Sequence, residues 1–251
     1  MNYSLTKTLL VLSASFLVGV PFAFAYVASS SNYRIQTDSV NIGGVFSSST
    51  SYRAEDTLGE SGVGTSSSAS FSVKAGYQQM QAVYLALAPS GNVTLTPNIP
   101  STGGGAADAV ASFTVTTDNV AGYSMTLTSS QAPALASGAN NFTDYLPAGA
   151  NPDFSFTTPA SASRFGFSPE GTDITQRYKD NGATCNIGAG DTLSACWDAL
   201  STTPITVAQR ISANNPSGTQ INLRFHATSD AANFQPAGAY VATSSVTVLP
   251  L

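Results

Sequence analysis

Serine and threonine make up about a quarter of this chain, while Lys and Glu occur only three times each. Lys and Glu are among the residues that best cover the exposed face of a helix, and Ser and Thr compete with a helix for its backbone hydrogen bonds. A chain starved of the former and rich in the latter has no material for long surface helices. With 42% hydrophobic residues, 13 Phe and 10 Tyr it still has ample apolar surface to bury, and only 9% of its residues are charged. Disorder is therefore excluded as the main state, and the expected class is all-β. Nine Lys+Arg against 14 Asp+Glu leave a net charge of −5, with no basic stripe to neutralise phosphates, so nucleic acid is not an expected partner.

The first 25 residues carry the order of a secretory signal peptide. Lys7 supplies the positive start, Thr8 to Val20 form the apolar stretch, and Pro21 leads into Ala23-Phe24-Ala25, an A-x-A cleavage site. The apolar stretch falls short of the ~20 residues that a spanning helix needs. Cleavage would leave a mature chain beginning at Tyr26, and no later segment is apolar enough for a transmembrane helix. The C-terminal Val246-Thr247-Val248-Leu249-Pro250-Leu251 reads as a last strand without an anchoring tail. The expected location is extracellular or at the cell surface, with any attachment non-covalent or through a partner.

Two cysteines, Cys185 and Cys196, sit in a turn-rich stretch directly before Trp197. In an oxidising compartment a close pair of this kind reads as one disulfide closing a loop. A tetrahedral metal site is the sharper alternative, but two thiols and a distant His226 do not complete one.

Residues 26–88 read as three copies of a unit of about 19 residues. Tyr33, Tyr52 and Phe71 keep one spacing, each opening a short alternating stretch: Tyr33-Arg34-Ile35, Tyr52-Arg53-Ala54 and Phe71-Ser72-Val73. Serine runs precede each copy. Residues 31–44, 52–59 and 71–77 resemble the region directly behind the signal peptide in secreted bacterial surface proteins that carry a Ser-rich Tyr-x-Leu-type repeat. That resemblance implies export and surface display and brings no catalytic residues with it.

Residues 81–105 read as a connection with one strand in it, where Ala82 to Leu87 is apolar and Val93 to Thr96 alternates, and residues 89–251 as a sandwich domain. Strand signals follow at Val110 to Thr117, Tyr123 to Thr128, Asp153 to Thr157, Arg164 to Phe167, Pro204 to Ala208, Ile221 to Ala227 and Tyr240 to Val248, with Asp118 to Gly122 as a hairpin loop. Seven or eight short strands separated by Gly, Pro and Asn suggest two packed sheets, of immunoglobulin-like or jelly-roll type. Phe113 to Leu127, together with Pro236-Ala237-Gly238-Ala239-Tyr240 before a final Val/Thr strand, resembles bacterial surface β domains of the WxL-like kind and fimbrial β sandwiches. Trp197-Asp198-Ala199-Leu200 has one residue too many for the Trp-x-Leu motif.

Residues able to carry chemistry are few. His226 alternates with Ile221, Leu223 and Phe225 and so belongs to the polar face of its strand. Glu55, Glu60 and Glu170 are the only glutamates, and no Gly-x-Ser-x-Gly occurs. Asp180, Asn181, Asp191 and the Asp118-Asn119 pair offer calcium-type oxygens, but without the spacing of a calcium loop they read as turn caps. Trp197 and Tyr178, with Tyr145, are the candidates for stacking on a sugar. The expectation is a non-enzymatic structural protein of the cell surface or an extracellular assembly, without a cofactor. Its partners would be a cell-envelope component or other surface proteins. The alternative is a glycan-binding or adhesin module.

Overall fold

The structure, a computed structural model, describes residues 83–89 and 91–251, with shorter pieces at 44, 46–49, 53–55, 59, 64–67 and 72–76. The segment 1–25 and the ring positions Tyr33, Tyr52 and Phe71 lie outside the described residues. The chain divides into two units, 1–82 and 83–251.

Among the described residues of the first unit, four short strands form two antiparallel pairs: β1 (Phe46–Ser48) with β2 (Arg53–Glu55), and β3 (Gly64–Ser67) with β4 (Ser72–Ala75). Ser47 faces Ala54 in the first pair, and Ser66 faces Val73 in the second, each residue 19 positions further along.

The second unit is a sandwich of two sheets built from β5 (Leu85–Pro89), β6 (Gly105–Thr117), β7 (Tyr123–Ser129), β8 (Leu135–Ser137), β9 (Asn140–Asp144), β10 (Ser163–Glu170), β11 (Ile205–Arg210), β12 (Thr219–Ser229) and β13 (Ser244–Pro250). Six strands pair in the order β5-β6-β12-β10-β9-β8 and three in the order β11-β7-β13. All pairings are antiparallel except β9 with β10. Helical structure among the described residues is one 3₁₀ turn, Gln176–Tyr178. The all-β class read from composition is the class observed.

Alternation decides which side chains enter the core. In β7, Tyr123, Met125 and Leu127 are buried on one face. They meet Val115 from β6, Phe165 and Phe167 from β10, Val207 from β11 and Ile221 and Leu223 from β12. At roughly 25 cal/mol per Å² of apolar surface removed from water, these side chains supply the main driving force of the domain.

Five expectations need correction. The stretch Val93 to Thr96 is not a strand beyond one bridge from Thr96 to Asp108, whereas Leu85–Pro89 pairs with β6. Leu85 and Leu87 pack on the core, so the second unit begins at Val83 and not at residue 89. The turn 118–122 is not a hairpin loop but passes from one sheet to the other, since β6 and β7 pair with different partners. Gly122 allows this crossing: its φ is +87°, and a Cβ there would lie 1.8 Å from the carbonyl oxygen of Arg210. Asp153 to Thr157 forms no strand, only a bridge from Asp153 to Trp197. Last, β13 starts at Ser244. The Pro-x-Gly-x-Tyr turn ahead of it closes on itself, Tyr240 OH donating to the Pro236 carbonyl at 2.7 Å while the ring meets Phe142 edge-on at 5.1 Å.

Candidate functional site

A set of polar residues lies on the outer face of the six-stranded sheet. Even-numbered residues of β6, β10 and β12 point away from the core, which puts Asp108, Gly166, Ser168, Glu170, Asn222, Arg224 and His226 on one surface. Strand register then makes neighbours of residues far apart in sequence. Gly166 lies beside His226, and His226 beside Asp108.

The β10 side of this face is covered, while Asp108 stays exposed. The segment from Gly171 to Leu200 leaves the end of β10, makes the 3₁₀ turn, and returns to the edge of β10 where β9 has ended. There Phe167 and Asp198 exchange both backbone hydrogen bonds, at 3.1 and 2.9 Å. Ser168 Oγ donates to the Ala195 carbonyl, and Glu170 accepts from the Ser194 N–H at 3.1 Å. Cys185 and Cys196 are joined, with Cα atoms 5.6 Å apart, and both are buried. The disulfide therefore fastens the tip of the covering segment to the part that is hydrogen-bonded to β10. Mutation of Cys185 to Ser is expected to lower stability by roughly 3 kcal/mol, as loop-closure entropy suggests for a short loop. The sheet signal in far-ultraviolet circular dichroism should be retained. Chemical denaturation compared with the disulfide-intact chain measures it.

Buried acids within this segment and beside it are each matched by a donor. Asp198 Oδ2 accepts from Arg177 Nη2 at 2.7 Å, Arg177 Nε at 2.9 Å and Tyr178 OH at 3.1 Å. Burial, and next the Asp198 charge, push the Tyr178 hydroxyl far above the ordinary tyrosine range. Glu170 pairs with Arg224, Nε to Oε1 at 2.6 Å. The hydrogen bond to Glu170 raises the Arg224 guanidinium further, against the effect of its own burial. Asp173 accepts from Tyr123 OH at 2.8 Å and pairs with Arg210 at 3.2 Å. Every buried side-chain polar atom among the described residues has a hydrogen-bond partner.

Beside these pairs lies an aromatic cluster. Phe156 meets Tyr145 at 4.4 Å, His226 at 4.5 Å and Trp197 at 5.3 Å between ring centroids, and Trp197 meets His226 at 5.2 Å. Gly166 leaves room for it, since a Cβ at that position would stand 2.7 Å from Tyr145 Cβ and 3.1 Å from the Phe156 ring. Tyr145 OH donates to Asp153 Oδ2 at 2.8 Å and Trp197 Nε1 to the Ser194 carbonyl at 3.0 Å.

The expected sugar platform is corrected by this packing. Trp197 is 3% exposed and Tyr178 1%, so neither ring has a face free for a ligand. Their apolar bodies are core, and their polar atoms bond within the covering segment. His226 is on the polar face as expected, but it is not an open strand histidine. Its Nδ1 lies 2.7 Å from Asp108 Oδ1, and its ring is packed by Phe156 and Trp197. Facing a carboxylate makes Nδ1 the protonated nitrogen. The candidate calcium oxygens accept protein hydrogen bonds: Asn119 from Ala121 N–H and Asp180 from Gly182 N–H within turns, and Asp118 from Tyr84 N–H and Asp180 from Thr192 between segments.

Phe156, Asp108, Arg177 and Asp198 escaped the reading of the sequence. Alternation alone marks Asp108 as outward-facing, but its pairing with His226 depends on a register set across 118 positions of chain. Comparison of the chain with protein-family models, with curated proteins and with solved structures finds no match.

Proposed function

We propose that this chain is a secreted, non-enzymatic structural protein of a bacterial cell surface or extracellular assembly, in which a short β-hairpin region is displayed together with a disulfide-clamped sandwich. The observation that carries this reading is how the reactive side chains are used. Glu170, Asp173, Asp198 and His226 each face a fixed partner, and the aromatic rings suited to a ligand are packed inside the domain. Such an arrangement suits a rigid spacer or scaffold.

The Cys185–Cys196 bond is consistent with an oxidising, extracellular compartment. No helix among the described residues is long and apolar enough to cross a membrane. The matching register of the two hairpins supports reading the N-terminal region as a modular array. The resemblance to secreted repeat-bearing and WxL-like or fimbrial surface proteins supports the same assignment.

Expression of the full chain in a secreting bacterial host tests the location. The exported product is expected to begin at Tyr26, which intact-mass measurement determines; a product retaining Met1 to Ala25 would count against it. The mature protein should then be passed over peptidoglycan and a panel of immobilised glycans. A structural protein is expected to give no saturable binding to a single sugar. Saturable binding would favour the adhesin reading and would have to use a surface other than Trp197 and Tyr178.

A further inference from the structure

The tip of the covering segment carries a chemical feature independent of the fold's packing: Asn181-Gly182 is the sole Asn-Gly pair in the sequence. Both residues are exposed, and a side chain at Gly182 would meet nothing within 4 Å. The polar atoms around this peptide are tied by the turn. Gly182 N–H donates to Asp180 Oδ1 at 2.7 Å. The side-chain oxygen of Asn181 accepts from Ala183 N–H at 3.1 Å and from Thr184 N–H at 2.9 Å.

We propose that Asn181 is a site of spontaneous succinimide formation activated by its own loop. The Gly182 nitrogen attacks the side-chain carbon of Asn181 while the Asp180 carboxylate takes the nitrogen's proton. The N–H groups of Ala183 and Thr184 hold the oxygen as it gains negative charge. Collapse of that intermediate breaks the bond from Cγ to Nδ2. The amide –NH2 takes up the proton held by Asp180 and leaves as ammonia, so the one hydrogen lost from the Gly182 nitrogen is the one gained by the leaving group. The net first step converts the Asn-Gly pair into a cyclic imide plus ammonia. One water then opens the imide to aspartate or isoaspartate at position 181.

Three features of the geometry favour the reaction. A base must lie within about 2.6–3.2 Å of the proton it removes, and Asp180 does. Donors placed at the oxygen that becomes charged act most strongly when fixed beforehand, and the two N–H groups are fixed by the turn. Glycine adds no side chain to obstruct ring closure. Burial works to raise the Asp180 carboxyl, but hydrogen bonds from Thr192 N–H, Thr192 OH and Gly182 N–H outweigh it and hold it below the usual carboxylate range, so the accepting group is ionised. The consequence is a neutral surface residue converted to a negatively charged one beside Asp180, inside a segment whose tip is fixed by the disulfide.

The test measures imide and aspartate at position 181 by residue-resolved peptide mapping after incubation of the full chain at neutral pH. The folded protein is compared with the same protein unfolded in guanidinium. Activation by the loop predicts that the folded chain reacts faster than the unfolded one. Mutation of Asp180 to Asn keeps an acceptor for Gly182 N–H but removes the charge. It should slow the folded reaction by about tenfold or more, the low end of general-base effects being about a hundredfold and Asp180 being a weakened base. It should leave the unfolded rate unchanged. A folded chain that reacts more slowly than the unfolded one would overturn the proposal, whatever the variant does. So would an Asp180→Asn variant, folded by circular dichroism, that reacts at the parent rate.

Discussion

Mutation of Arg224 to Met is expected to destabilise the second unit by about 3 kcal/mol or more. Arg224 reaches across from β12 to Glu170 at the end of β10, and Glu170 is 3% exposed. Methionine retains most of the aliphatic stem but leaves a carboxylate buried without its counter-charge. That penalty is the larger part of the cost, because an intact buried pair contributes little net stability over an apolar replacement. A second substitution separates the two contributions. Glu170→Gln in the Arg224→Met background keeps an oxygen for the Ser194 N–H while removing the charge, so the double variant should regain part of the loss. Equilibrium denaturation of the four proteins in the cycle measures this. A double variant no more stable than Arg224→Met alone would show that packing of the arginine stem, and not the stranded charge, dominates.

Mutation of Trp197 to Ala is expected to cost about 3–5 kcal/mol, the range found for deleting a buried large aromatic ring. Against a total stability of about 5–15 kcal/mol for a domain, this brings the protein near its limit. The loss combines contacts to Phe156 and His226, the Nε1 bond to Ser194 and the cavity left beside Gly166. Trp197→Phe should recover much of it by refilling the space. A change of less than 1 kcal/mol for Trp197→Ala would mean that the ring is not core in solution and would reopen a role for it in binding.

The parts of this structure visible in the sequence are those governed by alternation. Tyr123, Met125 and Leu127 mark an inward face, and Ile221, Leu223 and Phe225 put His226 on the opposite one, because strand side chains have a period of two. The near cysteine pair was equally legible. Strand ends were less so: Gly105 to Ala109 are small residues with weak β signals, yet they extend β6 because β12 offers them a partner. Leu135–Ser137 and Asn140–Asp144 were not anticipated, since three and five residues with Asn and Ser among them resemble a turn. The burial of Trp197 was hidden for another reason. Nothing local says that residues 194–198 return to the edge of β10, and an aromatic beside a disulfide in a Gly-rich stretch suits an exposed loop equally well. Charge pairing was invisible throughout, because Glu170 and Arg224 are brought together by register, not by spacing in the chain.

The order of strands also constrains when the domain can form. β6 obtains its central partner from β12, and β7 lies between β11 and β13, so both sheets wait for the last quarter of the chain. Ser112 and Asn222, hydrogen-bonded across β6 and β12, are separated by 110 positions. Pairing at such distances makes folding slow compared with proteins of local contacts, because the entropy of closing the loop is lost before the contacts compensate. During synthesis, β6 lacks its long antiparallel partner and β7 both of its neighbours until residues beyond 200 have been made. The two sheets of the second unit are therefore completed only by β11, β12 and β13, the strands that are made last.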